Sequence, residues 1–178
     1  MSQDFSNFYY DPSRQGFDTN LWKAVSGSPS VVAPNLVLNH AAIIYYGDLF
    51  RCNMTLNLNI PAVPTAGDSR FFGLSQINKG CYMAFVIDGI VFKAVAFDAN
   101  GHTDSTVITF EPAWAAAFVD YRIQWDGAFV SFYVDGTLKA RFDDIAVPNL
   151  PLSPYISNAN VDDMLLNNMQ IMSAQTYI

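Results

Sequence analysis

The sequence predicts an all-β chain folded as a two-sheet antiparallel β-sandwich. Three observations carry that prediction. Apolar and polar residues alternate strictly from Leu49 to Ile60, short β-rich runs recur along the chain, and Asp-Gly pairs stand between several of them. Alternation with a period of two marks a half-buried strand. Asp-Gly is a favoured hairpin turn because it tolerates positive φ at both central positions. The acids agree with this reading: 15 are Asp and one, Glu111, is Glu. Asp favours turns and caps, whereas Glu favours helices.

Taken in order, residues 1–20 read as an extended arm and residues 21–178 as one sandwich domain. The arm has no clear period, but it is aromatic, with Phe5, Phe8, Tyr9 and Tyr10 as candidate assembly contacts. Val31 to Leu38 and Ala41 to Tyr46 are short strand runs, the first made irregular by Pro34. In the run from Leu49 to Ile60, Phe50, Cys52, Met54, Leu56, Leu58 and Ile60 share one face. Arg51, Asn53, Thr55, Asn57 and Asn59 share the other. Arg70 to Ser75 follows a Pro- and Gly-containing loop. Cys81 to Ile87 and Ile90 to Phe97 flank Asp88-Gly89; both of their faces are mostly apolar, which places them near the middle of the sandwich. Thr103 to Phe110 is rich in β-branched residues, and Pro112 to Ala117 is the one expected helical turn.

The clearest hairpin is Tyr121 to Trp125 with Phe129 to Val134. Tyr121, Ile123 and Trp125 should face the same way as Val130, Phe132 and Val134. Asp135-Gly136 turns into Leu138 to Phe142. Pro148, Pro151 and Pro154 punctuate a loop before a closing strand between Met164 and Ile178. About a dozen short strands with almost no helix imply a sandwich or barrel.

Composition excludes several classes. Hydrophobic residues are 51% and charged residues 14% of the 178, too apolar for intrinsic disorder. The net charge is -7 and the nine basic residues are scattered in sequence, which argues against a nucleic-acid partner. No apolar run reaches the ~18 residues of a membrane span. The start, Met1 to Ser6, has neither a basic nor an apolar stretch and does not read as a signal peptide. Cys52 and Cys81 read as small buried apolar residues; a disulfide between them stays open at this stage.

Tyr121-Arg122-Ile123-Gln124-Trp125, followed by Val130 to Gly136 (Val-Ser-Phe-Tyr-Val-Asp-Gly), resembles the hairpin of concanavalin A-like lectin/glucanase domains. Gly16 to Trp22 and Asn158 to Ile171 are similar to the start and end of such domains. The resemblance implies a jelly roll of two large curved sheets. It also implies glycan binding or cleavage as functions that the superfamily hosts, since fold alone does not choose between them. Laminarinase-like members carry a Glu-x-Asp-x-x-Glu type strand that supplies a nucleophile and a general acid to one glycosidic bond. Here Glu111 is followed by Pro112, Ala113 and Trp114, and no Asp-x-Asp or Glu-x-Asp occurs. No catalytic residue is therefore expected, and the chain reads as non-enzymatic.

Two sets of residues have ligand chemistry. The face Arg51, Asn53, Thr55, Asn57 and Asn59, with Tyr133 as a stacking ring, could hydrogen-bond sugar hydroxyls; a solvated outer sheet face is the preferred reading. Asp98, Asn100 and Asp104 offer oxygens to calcium around Gly101, which superfamily members often bind. With no bidentate Glu following, a plain turn is preferred. The expected role is a surface decoration of a virus or phage particle, located on the virion and partnered by other proteins or by copies of itself. It rests on the aromatic arm, the low charge and the missing acids. The alternative is a carbohydrate-binding module or lectin.

Overall fold

The computed structural model describes residues 7–45, 49–143 and 146–173. Fifteen strands run through them: β1 (Asn7–Tyr10), β2 (Trp22–Ser26), β3 (Ser30–Val32), β4 (Asn35–Leu38), β5 (Ala41–Tyr45), β6 (Cys52–Asn59), β7 (Ser69–Ser75), β8 (Tyr82–Asp88), β9 (Val91–Phe97), β10 (Thr103–Val107), β11 (Val119–Trp125), β12 (Phe129–Val134), β13 (Thr137–Asp143), β14 (Ser153–Asn158) and β15 (Met164–Ser173). One sheet has the order β13-β12-β11-β6-β15-β4-β3, with β1 also paired to β15; the second has the order β10-β9-β8-β7-β14-β5-β2. Every pairing is antiparallel. The architecture is the expected two-sheet sandwich.

Alternation decides which side chains meet. In β6, Cys52, Met54, Leu56 and Leu58 are buried and the residues between them are half-buried. β11 lies against β6, so Tyr121 stands opposite both Leu56 and Val134, and Ile123 opposite Met54 and Phe132. The second sheet meets them with Phe72, Phe85 and Phe92. Phe85 lies 5.4 Å from Tyr121 and 5.2 Å from Phe132, edge to face in both cases. Such ring pairs add about 0.5–1.5 kcal/mol to area burial. Cys52 and Cys81 are free and buried in this core. Burial pushes the Cys52 thiol up to about 12.

Several local expectations shift. The strand expected from Leu49 begins at Cys52, because Arg51 takes φ 54, and Phe50 stands partly exposed against Trp125. The two-residue turn expected at Asp88-Gly89 lies one residue on: Asp88 pairs with Val91, and the Gly89 amide donates to the Asp68 carbonyl at 2.8 Å. Asp135-Gly136 has φ of 46° and 75°, as a primed hairpin turn requires. The expected helical turn is a 3-10 turn, Pro112–Ala116, and a second helical turn, α1 (Pro12–Gln15), was not anticipated. Its signal is Asp11, whose carboxylate accepts from the Ser13 amide, followed by Pro12 at the first helical position.

Strand β14 was also hidden. It contains Pro154 and lies inside the second sheet between β7 and β5, although Pro lacks a ladder donor. In the arm, β1 extends the first sheet through β15.

Phe85→Ala should lower the unfolding free energy by about 3–5 kcal/mol, as for other large core truncations. Val86→Ala, on the outward side of the same strand, should cost far less. Urea denaturation of both variants checks this, and equal losses would refute the assignment of faces.

Candidate functional site

The first sheet's outer face holds the residues singled out in the sequence. Arg51 lies just before β6, and Asn53, Thr55, Asn57 and Asn59 project from it, half-buried. Their amides are largely committed within the protein. Asn57 donates to Asp120 at 2.7 Å and accepts from Asn167 at 3.0 Å. Asn59 donates to the Ala117 carbonyl at 2.7 Å. Tyr133 is covered by the Arg122 guanidinium, 4.0 Å from its ring centroid. The amides of Asn57 and Asn59 are thus spoken for, whereas Asn53 Oδ1 and the Nε atoms of Arg51 and Arg122 are buried without a hydrogen-bond partner among the described residues.

The second sheet's outer face differs, and sequence reading missed it. Cross-strand partners point the same way, so the register assigns its side chains. β9 contributes Phe97, Val95 and Lys93; β8 contributes Tyr82, Ala84, Val86 and Asp88; β7 contributes Phe71 and Ser69; β14 contributes Tyr155. Four rings on four successive strands touch in series. Phe97 stacks on Tyr82 at 5.4 Å, Tyr82 meets Phe71 at 5.2 Å, and Phe71 meets Tyr155 at 5.5 Å. The floor beneath them is low, because Gly73 stands opposite both Ala84 and Tyr155. A Cβ at Gly73 would collide with the Met83 carbonyl and with Ala84.

Lys79 arches over this row from the loop between β7 and β8. Its ammonium is 4.7 Å from the Phe71 centroid and 5.4 Å from that of Tyr155. Burial against the rings lowers the Lys79 pKa and raises those of Tyr82 and Tyr155. The two phenols therefore remain hydroxyl donors. Lys79 helps line a cavity of about 310 Å³ together with Phe71, Tyr82, Asp88, Lys93 and Ser105 among others. A second cavity, of about 440 Å³, is lined by Ile44, Ser75, Gln76, Leu150 and Ser153 among others. Apolar rings with a few polar groups at the rim form a surface that can take a ring-shaped, hydroxylated ligand.

The remaining candidates are placed as follows. Asp98 and Asn100 share one turn: the Asp98 carboxylate accepts from the Asn100 and His102 amides at 2.9 and 2.8 Å and contacts the His102 ring at 2.9 Å. Those bonds, led by the His102 side chain, hold its pKa at about 2. Asp104 stands on β10 opposite Ala96. Among the described residues no three of His, Cys, Asp and Glu gather to hold a metal. In the arm, Phe5 lies outside the described residues. Phe8 packs 5.1 Å from Tyr45, Tyr9 is exposed, and Tyr10 is fully buried with its hydroxyl donating to the Gly16 carbonyl at 2.6 Å. No helix among the described residues is long and apolar enough to cross a membrane.

No protein-family model and no curated protein sequence matches the chain. Solved structures do. A Crh5 transglycosylase shares 13% identity over 96% of this chain and 85% of its own, with a TM-score of 0.77. A Bacillus licheniformis β-glucanase shares 15% identity over 97% and 100%, with a TM-score of 0.72. The laminarinase catalytic domain of Thermotoga maritima shares 11% identity over 95% and 98%, with a TM-score of 0.74. The fold is the concanavalin A-like jelly roll. Two expectations are corrected by these neighbours. They act on glycans and none is a particle protein, which overturns the virus-surface decoration. They are also enzymes, so a missing Glu-x-Asp-x-x-Glu strand is no longer ground for reading this jelly roll as non-enzymatic.

Asp98→Asn should lower the melting temperature near neutral pH. The folded carboxylate titrates at about 2, below the unfolded ~3.9. Its contribution is therefore complete above pH ~4 and lost as pH falls toward 2. Melting curves of wild type and variant should converge across that window; a constant gap would refute the assignment.

Proposed function

We propose that the chain binds a polysaccharide along the outer face of the second sheet. The observation that carries this reading is the unbroken row Phe97, Tyr82, Phe71 and Tyr155 across four strands. Sugar rings present apolar C–H faces that pack on aromatics, while their hydroxyls need polar partners nearby. Ser69, Asp88, Lys93, Thr103 and Ser105 supply those partners around the smaller cavity. A row that spans strands suits a chain of sugars better than a single one. The glucanase and laminarinase among the neighbours support a glycan as the ligand. This is the alternative that the sequence offered, moved from the Asn-rich face to the opposite sheet.

A second reading, cleavage or transfer of the bound glycan, is supported by the activities those neighbours are named for. On this face the strands of the second sheet present one carboxylate among the described residues, Asp88. It is the group there that could exchange a proton with a glycosidic oxygen.

Affinity electrophoresis and calorimetry on laminarin and lichenan test both readings. Tyr82→Ala and Phe97→Ala should each weaken retention about tenfold, the loss of one stacked ring. Asn53→Ala and Asn57→Ala should leave it unchanged. Reducing-end release that disappears in Asp88→Asn would support chemistry at this face. Retention unaffected by both ring variants would refute the site.

A further inference from the structure

The chain has four lysines, and three of them stand on the face just described. Lys93 is opposite Val86, Lys23 is opposite Ile44 at the β2 end, and Lys79 lies over Phe71 and Tyr155. Lysines far apart in sequence are thus brought onto one surface by the strand order.

Among the described residues, ion pairs engage Arg14, Arg70, Lys139 and Arg141 with Asp11, Asp68, Glu111 and Asp143. None engages Lys23, Lys79 or Lys93; Arg51 and Arg122, beside and on the first sheet, also lack one, but they lie over Phe50 and Tyr133 singly and not on one shared face. Asp88 is the one carboxylate that the strands of this face turn outward among the described residues. The chain as a whole carries a net charge of -7. It has nevertheless kept three cations unneutralised on its aromatic face. Charges of one sign spread along a face attract a ligand of the other.

The spacing selects the kind of anion. Lys93 on β9 and Lys23 on β2 are five strand steps apart, about 24 Å at ~4.8 Å per step. That exceeds the screening length of about 8–10 Å. No single small anion feels both ends, whereas a chain with repeated charges does. We infer that the glycan held on this face is anionic, a polysaccharide carrying carboxylate or sulfate groups along its length. This inference rests on the glycan-binding reading above.

The test uses one backbone in three charge states: laminarin, carboxymethyl-laminarin and laminarin sulfate. Kd is measured by calorimetry at low and high salt for wild type, Lys79→Gln, Lys93→Gln and the double variant. Wild type should bind at least one charged derivative about tenfold more tightly than laminarin at low salt. That preference should fall about twofold in each single variant and about fourfold in the double variant, which keeps Lys23, and should shrink at high salt. Which derivative leads identifies carboxylate or sulfate as the recognised group. Circular dichroism confirms that the variants fold. If all three glucans bind equally, the glycan site stands and the anionic preference is overturned. A preference undiminished in the double variant, or tighter binding of a single-stranded oligonucleotide than of either derivative, also overturns it. If no glucan binds, both the glycan reading and this inference fall.

Discussion

Phe85 stands where the two sheets meet, its ring edge-on to Tyr121 and Phe132 on the opposite layer. Because a strand alternates its side chains, the inward set Met83, Phe85 and Ile87 dictates the outward set Tyr82, Ala84, Val86 and Asp88. A slip of one residue would exchange the two sets. Burying Asp88 in place of Ile87 would then cost several kcal/mol, so the aromatic core fixes the register on which the outer site depends. The same logic runs through β7. There Phe72 and Leu74 point inward, leaving Phe71 and Gly73 to form one ring and the floor of the outer row.

Much of the architecture is legible in residue order. The hairpin from Tyr121 to Gly136 folds with the facing expected of it, Tyr121 pairing with Val134 and Trp125 with Val130. What escaped has physical causes. β14 was hidden because Pro154 ordinarily excludes a strand from a sheet interior, and here tertiary packing of Ile156 and Tyr155 on opposite faces overrides that preference. The turn at Gly89 slid by one residue because a remote carbonyl, that of Asp68, holds its amide, a partner that local sequence cannot disclose.

The site was less legible than the fold, for a reason that lies in the alternation itself. A polar face such as Asn53 to Asn59 advertises itself in sequence, yet most of its amides are bound to Asp120, Asn167 and backbone carbonyls. A face made of Phe71, Tyr82, Phe97 and Tyr155 is indistinguishable in sequence from core. Apolar residues on both sides of β8 and β9 imply burial on both sides; one side packs on the first sheet, while the outward residues Ala42, Ile44, Phe71, Ala84 and Tyr155 form a separate small cluster that the sequence does not distinguish from the main core. The departure that could have revealed it is composition within the run. Gly73 and Ala84 are small where a buried strand centre normally carries bulk, and Lys93 interrupts β9 where a fully covered strand tolerates no charge.

Lys79 shows how this face stays both soluble and receptive. Phe71 and Tyr155 are buried and Tyr82 and Phe97 half-buried, so the row does not present a large apolar patch, which is uncommon on monomers. An ammonium laid across Phe71 and Tyr155 covers them and gains a cation–π contact of about 0.5–2 kcal/mol. The cover has a cost, since burial disfavours the charged amine and lowers its pKa. A ligand that brings its own negative charge restores what the rings cannot give, because it leaves the cation paired while the aromatic faces pack against sugar. A neutral ligand that displaces the ammonium forfeits its cation–π contact and offers it no charged partner. The arrangement of rings and lysines thus favours a charged chain over a neutral one through the same contact that shields the rings when the face is empty.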